Sequence, residues 1–129
     1  MIATKHSKQR EAILTFLQTR TDHPNAETVY QNVRKNIPNI SLGTVYRNLN
    51  LLSDQGKILK LHMEDVIDHF DANTSPHYHF LCTKCHQVYD VPIPFEDNKD
   101  LDIKASSCFE GKIKGHITYF SGLCPKCLK

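Results

Sequence analysis

Hydrophobic residues recur at helical spacing in three stretches of the first half of the chain. In the first stretch Ile13, Phe16 and Leu17 lie on one stripe, which predicts a helix from a Ser7 cap to about Thr19. Two further helices are predicted, each starting at a side chain that favours helix N-caps. Asn25 precedes Val29, Val33 and Ile37, with an end at Pro38, and Ser41 precedes Val45, Leu49 and Leu52, with an end at Gly56.

After the third helix the pattern changes to short runs that are typical of strands. Residues 57–63 and 66–70 flank an acidic turn, so they predict a hairpin. Three short helices followed by a hairpin are the order of a winged helix-turn-helix. Beyond a polar linker the predicted elements are two strands at 77–82 and 87–91, a weakly periodic helix within 95–108 and a third strand at 114–123.

These elements predict an α+β protein of two parts. We expect a winged-helix DNA-binding domain over residues 1–70, a hinge over 71–76 and an α/β dimerisation domain over 77–129. With 129 residues and 40% apolar content, each half would be marginally stable and would gain from a metal or a partner chain. The sequence has no long apolar run and no signal peptide, so we expect a soluble, cytoplasmic protein with no membrane partner.

The charge is distributed unevenly along the chain. Residues 1–64 contain nine Lys and Arg against five Asp and Glu, whereas residues 65–129 contain seven against nine. A basic first half is compatible with nucleic-acid binding, although ordinary solvated faces carry charges of this size too.

Four of the five cysteines form two Cys-x-x-Cys pairs, Cys82 with Cys85 and Cys124 with Cys127. This spacing wraps a tight turn around one metal ion, and two such pairs predict a closed, tetrahedral zinc site with a structural role. Free thiols or a redox pair are the alternative. Cys108 has no such partner and is expected to be a small core residue.

Two histidines, His77 and His79, precede the first cysteine pair and lie on one face of a predicted strand. Four thiolates already complete the zinc site, so these imidazoles need other partners. The nearby candidates are His23, Asp71 and Asp90, and such mixed ligands suit Fe²⁺, Mn²⁺ or Zn²⁺. Three other histidines are expected at the surface: His62, His69 and His86.

The third helix presents a polar face opposite its apolar stripe. Hydroxyl, aromatic, guanidinium and amide groups on one helix face can reach base edges and phosphates in a major groove. A plain polar surface is the alternative, but the winged-helix context favours DNA. The residues expected to face outward are Thr44, Tyr46, Arg47, Asn48 and Asn50, of which Tyr46, Arg47 and Asn48 are the predicted DNA contacts.

The chain resembles the ferric uptake regulator superfamily over nearly its whole length. The motifs that carry this resemblance are Gln9-Arg10, His23-Pro24-x-Ala26, Ser41-x-x-Thr44-Val45-Tyr46-x-x-Leu49, His77-Tyr78-His79-x-x-Cys82-x-x-Cys85 and Gly122-x-Cys124-x-x-Cys127. Within the family the chain looks most like the peroxide-sensing repressors, because Asp90 stands where iron-uptake regulators usually carry glutamate.

The resemblance implies which residues form a regulatory site for Fe²⁺ or Mn²⁺. The implied ligands are His23, Asp71, His77, His79 and Asp90, which together would clamp the two halves at one angle. It also implies a minor-groove contact by Lys5, and it marks His116 as a possible ligand of an additional metal site.

The hypothesis is therefore a homodimeric, metal-dependent repressor of peroxide-defence genes, not an enzyme, that binds a pseudo-palindromic operator in double-stranded DNA. The resemblance suggests sensing by iron-catalysed oxidation of a histidine ligand, His23 or His77. The nearest alternative is an iron- or zinc-uptake repressor with reversible metal binding. A non-haem iron oxygenase would leave the helix-turn-helix unexplained, and an inert zinc-ribbon module would leave the histidines unexplained.

Overall fold

The computed structural model of the chain describes residues 4–129, so the first three residues of the predicted N-terminal domain lie outside the described part. Its elements follow the order expected of an α+β protein. They are α1 (Lys5–Gln18), α2 (Ala26–Val33), α3 (Leu42–Asp54), β1 (Leu59–Leu61), β2 (His69–Asp71), β3 (Tyr78–Cys82), β4 (Val88–Val91), α4 (Lys99–Ser107) and β5 (Phe120–Gly122).

The first helix begins one turn earlier than predicted. Thr4, not Ser7, is the N-cap, because the Thr4 hydroxyl accepts the backbone N–H of Ser7 at 3.1 Å. Ser7 therefore lies inside the first turn, where its own hydroxyl donates to the Thr4 carbonyl oxygen. The predicted stripe is confirmed in part, since Ile13 and Leu17 are buried.

The caps of the next two helices are confirmed. The side chain of Asn25 accepts the N–H of Thr28, and the side chain of Ser41 accepts the N–H of Thr44. The stop of α3 is also confirmed, because Gly56 follows it with a φ of 73°, a conformation that glycine adopts without strain.

The second helix is shorter than its apolar stripe suggested. It ends at Val33, and turns lead from there to Ile37, whose N–H still bonds to the Val33 carbonyl oxygen. Pro38 disfavours helical geometry in the residue before it, so the stripe outlasts the helix. Ile37 nevertheless packs against the core that α1, α2 and α3 enclose.

A short antiparallel hairpin completes the winged helix. β1 pairs with β2 so that Lys60 lies opposite Phe70, and Phe70 inserts into the helical core at 1% exposure. Each strand has three residues, which is shorter than the runs predicted from the sequence. The loop between them is called the wing loop below and comprises residues 62–68.

The second half is a three-stranded sheet with the order β4-β3-β5. β3 is antiparallel to β4, with His79 opposite Asp90, and parallel to β5, with Cys82 opposite Gly122. The strand predicted at 114–123 is confirmed only at its end. Among residues 4–129, the three residues Phe120–Gly122 are the part of this run that pairs with β3.

The helix of the second half lies on the surface and buries none of its residues. Cys108, at its C-terminal cap, is consequently exposed, and the prediction of a core cysteine is wrong. Its thiol donates weakly to the carbonyl oxygens of Lys104 and Ala105.

A small apolar cluster joins the two halves. Met63 of the wing loop packs with Leu81 and Val88 of the sheet, and Leu61 and Tyr119 flank them. The division at residues 71–76 stays a prediction, since β2 extends to Asp71. Among residues 4–129, no helix is long and apolar enough to cross a membrane.

Candidate metal centres and DNA-reading helix

The four paired cysteines converge at one end of the sheet. Cys82 ends β3, Cys85 lies in the turn after it, and the second pair follows β5. The four Sγ atoms all lie within 4.8 Å of one another, and the Sγ atoms of Cys85 and Cys124 are 3.8 Å apart. A tetrahedron with Zn–S bonds of about 2.3 Å has edges of about 3.8 Å, so the spacing fits zinc.

The surroundings favour thiolates at this site. The pKa of Cys82 is lowered to about 5, because the backbone N–H groups of Cys85 and Cys124 donate to its sulfur. The pKa of Cys127 is instead raised to about 12 through its hydrogen bond with Cys124. Four clustered thiols cannot all ionise alone, so this donor set fits a divalent cation that neutralises them.

A second cluster gathers the histidines and carboxylates that the family resemblance implied. Its members are His23, Asp71, His77, His79 and Asp90, and one ligand atom from each lies within 4.8 Å of all the others. Two carboxylate oxygens form its centre, Oδ2 of Asp71 and Oδ1 of Asp90. The structure thus brings all five side chains together, and their role as metal ligands stays a prediction.

The three histidines present the same ring atom to these oxygens. The Nε2 atoms of His23, His77 and His79 lie 3.2, 2.9 and 3.0 Å from Oδ2 of Asp71. Their distances to Oδ1 of Asp90 are 2.8, 3.1 and 3.6 Å. Neighbouring ligands of a metal with bonds of about 2.1 Å are about 3 Å apart, so this arrangement fits a divalent ion.

Backbone contacts fix the tautomer of two of the rings. Nδ1 of His23 donates to the carbonyl oxygen of Val88 at 3.1 Å, and Nδ1 of His77 donates to that of Ser75 at 2.6 Å. A proton held at Nδ1 leaves a lone pair on Nε2, the atom that faces the carboxylates. This is how metal-ligating histidines are usually oriented.

Charge and burial act in opposite directions on the histidines of the cluster. Burial lowers the pKa of both His23 and His77, yet the net pKa of each is raised. For His23 the hydrogen bonds and charges of Asp71 and Asp90 outweigh burial. For His77 the hydrogen bonds to the Ser75 carbonyl oxygen and to Asp71, with the charges of both carboxylates, outweigh it. Burial likewise opposes ionisation of Asp71, yet hydrogen bonds from His23, His79 and the Asn73 N–H keep its pKa well below the usual value. Without metal, the cluster attracts protons in its place.

The cluster bridges the two halves of the chain. His23 precedes α2 and is 2% exposed, Asp71 ends β2, and the other three members lie on or beside β3 and β4. Asp90 is 46% exposed on its side chain and forms the open side of the site. The three imidazoles and two carboxylates are a mixed N and O donor set that suits Fe²⁺, Mn²⁺ or Zn²⁺.

The backbone of His23 adopts an uncommon conformation. Its φ is 52°, in the left-handed region where a residue with a Cβ is strained by roughly 1–2 kcal/mol. Such strain persists only where neighbouring contacts enforce it, and it is often found at functional sites. The turn directs the His23 ring from the helical half into the cluster on the sheet.

The outward face of α3 is confirmed in part. Tyr46 is 46% exposed, and Arg47 is exposed with its guanidinium donating to the Thr44 hydroxyl at 2.9 Å. The prediction that Asn48 faces outward is wrong, because this side chain is only 6% exposed. Its amide donates to the Thr44 carbonyl oxygen and accepts from Nε of Arg10, so it braces α1 against α3.

Two lysines of the first half lie on other elements, one on α1 and one on β1. Lys5 is the exposed first residue of α1, and its DNA contact stays a prediction. Lys60 of β1 donates to the Asn50 side chain at 3.1 Å, which ties the hairpin to α3.

His116 is exposed and belongs to neither cluster. Its Nδ1 lies 2.7 Å from Oδ1 of Asp102. Within residues 4–129, this pair belongs to no group of three or more metal ligands, so a further metal site there stays a prediction.

One histidine expected at the surface is buried instead. His69 is 6% exposed, and it contacts both the backbone of His23 and the side chain of Asp65. The sequence carried a signal for this placement, because His69 and Asp71 are two residues apart on one strand and share a face. His62 and His86 are exposed as predicted.

The chain resembles known proteins in both sequence and structure. The family model described as the Ferric uptake regulator family matches residues 2–116. The peroxide-responsive repressor PerR of Staphylococcus epidermidis is 34% identical over 119 residues, which cover 92% of this chain and 78% of that protein.

Two solved structures have similar folds. The Campylobacter jejuni peroxide stress regulator has a TM-score of 0.71 and 30% identity, and the match covers 95% of this chain and 91% of that one. The Helicobacter pylori ferric uptake regulator has a TM-score of 0.75 over 95% of this chain and 81% of that one. Its identity of 22% supports the fold alone.

Proposed function

The chain belongs to the ferric uptake regulator family, and from this premise we propose that it is a metal-dependent transcriptional repressor that senses hydrogen peroxide. The observation that carries the proposal is the cluster of three imidazoles and two carboxylates drawn from both halves of the chain. The similarity of the whole chain to peroxide-responsive relatives supports the choice of hydrogen peroxide as the signal.

Metal binding at this cluster would hold the two halves at one angle. Without metal, the same side chains meet only through hydrogen bonds, which depend on protonated imidazoles. Ligands that bind only one arrangement of the halves shift the equilibrium toward it, and a coupling of about 3 kcal/mol changes DNA affinity by about 150-fold. We therefore assign metal the role of corepressor.

We further propose that the repressor acts as a homodimer on a pseudo-palindromic operator. A large share of its exposed apolar side chains lies in the second half, which is the expected place for a partner chain. These residues are Ile93, Phe95, Leu101, Ile103, Phe109, Ile117, Phe120, Leu123 and Leu128. A two-fold dimer would present two α3 helices to two half-sites.

The proposed sensing chemistry consumes a histidine ligand. A bound Fe²⁺ would catalyse oxidation of an imidazole by peroxide. The ring would be the net donor of the two electrons that cleave the O–O bond, so that one oxygen would be inserted into a ring C–H bond and the other would leave as water. His77 lies on the more open side of the cluster, with its side chain 15% exposed, whereas His23 is enclosed. Oxidation of either ring would weaken its Nε2 as a ligand and release the clamp.

The cysteines are less suitable targets for peroxide than the histidine ligands. Zinc held by four thiolates would protect Cys82, Cys85, Cys124 and Cys127, and it fits the spacing of their sulfur atoms. The proposed metals are thus a structural Zn²⁺ and a regulatory Fe²⁺ or Mn²⁺.

Mass spectrometry after peroxide treatment tests the proposal. The zinc-loaded protein is saturated with Fe²⁺ or with Mn²⁺, mixed with peroxide and digested, and operator binding is followed in parallel. With Fe²⁺ we expect one added oxygen on the His23 or His77 peptide and loss of DNA binding. With Mn²⁺ we expect neither.

The exposed His62 serves as an internal control, because oxidant that diffuses freely in solution reaches it first. Oxidation confined to the cysteines, or equal oxidation of His62, would overturn the sensing mechanism. Operator binding that follows free metal without any oxidation would indicate a metal-uptake repressor instead.

A further inference from the structure

His69 is a buried histidine outside the metal cluster, and both of its ring nitrogens have partners. Nδ1 lies 3.0 Å from the carbonyl oxygen of His23, and Nε2 lies 3.1 Å from Oδ2 of Asp65. A carbonyl oxygen only accepts hydrogen bonds, so Nδ1 carries the proton. The Asp65 side chain is itself 4% exposed. The ring therefore links a buried carboxylate to the backbone of a proposed metal ligand.

The backbone that receives this bond is the strained one. His23 has a φ of 52°, and the residues after it are held by β2, since Phe70 N–H donates to the Pro24 carbonyl oxygen and Asn25 forms a β-bridge with His69. The His69 ring adds a contact at the carbonyl of His23 itself. Together these bonds keep the turn that directs the His23 side chain into the cluster.

We propose that His69, held by Asp65, is a positioning residue for the regulatory metal. This inference rests on the proposed function, because it requires metal at the cluster. His23 is held by two hydrogen bonds. Its ring Nδ1–H donates to the Val88 carbonyl oxygen, and its own backbone carbonyl oxygen accepts the His69 Nδ1–H. Contacts of this kind beyond the ligands orient them and tune metal affinity.

The Asp65–His69 pair is poorly suited to a role in stability alone. Among residues 4–129, Oδ1 of Asp65 is buried and has no hydrogen-bond partner, which is unfavourable for a carboxylate. Buried pairs of this kind often stabilise a fold no more than apolar side chains of similar size. Because Asp65 belongs to the wing loop, the pair also connects the wing to the cluster.

The test is the Mn²⁺ affinity of the zinc-loaded, full-length protein, measured by competition with a fluorescent chelator well below the melting temperature of each variant. His69→Leu removes the N–H, whereas His69→Gln retains an N–H donor. His62→Leu is the matched control, because His62 lies in the wing loop beside a carboxylate, Asp68, and among residues 4–129 it forms no hydrogen bond with the cluster. His23→Ala, alone and combined with His69→Leu, completes a double-mutant cycle.

We expect His69→Leu to weaken Mn²⁺ binding by about 10- to 100-fold, as loss of an outer partner of a metal ligand does. His69→Gln should lose less and His62→Leu nothing. Because His69 acts through His23, His69→Leu should add no further loss to His23→Ala. A role in stability alone would lower the melting temperature and leave Mn²⁺ affinity unchanged.

Two results would overturn the inference and leave the proposed function intact. One is wild-type Mn²⁺ affinity in His69→Leu while His23→Ala binds weakly, and the other is full additivity in the double variant. Unchanged affinity in His23→Ala would overturn the proposed site and the inference with it. If His69→Leu loses zinc or does not melt cooperatively, Asp65→Asn is tested in its place, because it conserves the size of the side chain. The same loss of Mn²⁺ affinity is expected, and unchanged affinity would again overturn the inference.

Discussion

In the cluster proposed as the regulatory site, protons and a divalent metal would compete for the same Nε2 atoms. In the metal-free fold the pKa of His23 is raised by Asp71 and Asp90, and the pKa of His77 is raised by the Ser75 carbonyl oxygen and the same two carboxylates. A raised pKa stabilises the fold fully below the unfolded-state value of about 6.5, and this contribution is lost as the pH rises through the raised value. Metal, by contrast, binds neutral imidazoles and is favoured at higher pH.

We therefore predict that the stability of the fold and its affinity for Mn²⁺ depend on pH in opposite directions. From about pH 6 to about pH 8, the protein that holds zinc but has no ion at the histidine cluster should lose stability, while its affinity for Mn²⁺ should rise. Thermal melts and chelator competition at matched ionic strength measure the two trends. A melting temperature that climbs with pH in the absence of Mn²⁺ would contradict the assignment of these histidines.

The sulfur cluster leads to a prediction about folding. Cys124→Ser should abolish tight zinc binding, unfold the second half and prevent dimer formation, because structural zinc contributes on the order of 10 kcal/mol to folding. Cys108→Ser is the matched control, since Cys108 is exposed and lies outside the cluster. Elemental analysis and circular dichroism measure zinc and structure. Normal zinc content in Cys124→Ser would rule out the four-thiolate site.

The fate of individual polar residues could be read from the sequence only where the pattern is local. The two Cys-x-x-Cys spacings sufficed for the sulfur cluster. The burial of Asn48 depends on Arg10, which is 38 positions away in the chain, and the burial of His69 depends on His23, 46 positions away. The spacing of His69 and Asp71 indicates a shared strand face, but no spacing rule identifies partners so far away in the chain, which are set by tertiary packing.

Among the secondary-structure elements, α3 is the one on which DNA recognition is predicted to depend. Arg47→Ala should weaken operator binding by about 1–3 kcal/mol if its guanidinium reads a base edge, with the fold and both metal contents unchanged. Arg34→Ala, which removes the same charge from the C-terminal cap of α2, is the control. Gel-shift titrations at one salt concentration compare them. Equal losses in the two variants would indicate a general charge effect and no reading by α3.

Helices were predicted from the sequence more completely than strands. A cap such as Asn25 or Ser41 and a stripe such as Val45 with Leu49 act within one helix, so the local pattern suffices. A strand needs a partner, and among residues 4–129 the predicted run at 114–123 pairs only at Phe120–Gly122. A second copy of the chain is the natural place to seek further pairing.

At the scale of the whole molecule, the exposed apolar side chains of the second half predict self-association. A double variant, Leu101→Asp with Ile117→Asp, should shift the protein toward monomers and weaken binding to a two-half-site operator, because charges in an apolar interface are left without partners. Val66→Asp with Ile67→Asp is the matched control, since these side chains are exposed on the wing loop. Sedimentation velocity gives the oligomeric state. An intact dimer in the first variant would exclude this face.

The short strand β2 places two different environments on adjacent residues. Phe70 is embedded in the core that includes the buried face of α3, and Asp71 lies at the centre of the histidine cluster. A single peptide unit thus joins a residue that packs in the same core as α3 to a residue of the proposed metal site. The time between oxidation of the proposed metal site and release of DNA should then depend on how fast the metal–ligand bonds are lost, because no intermediate rearrangement has to occur between them.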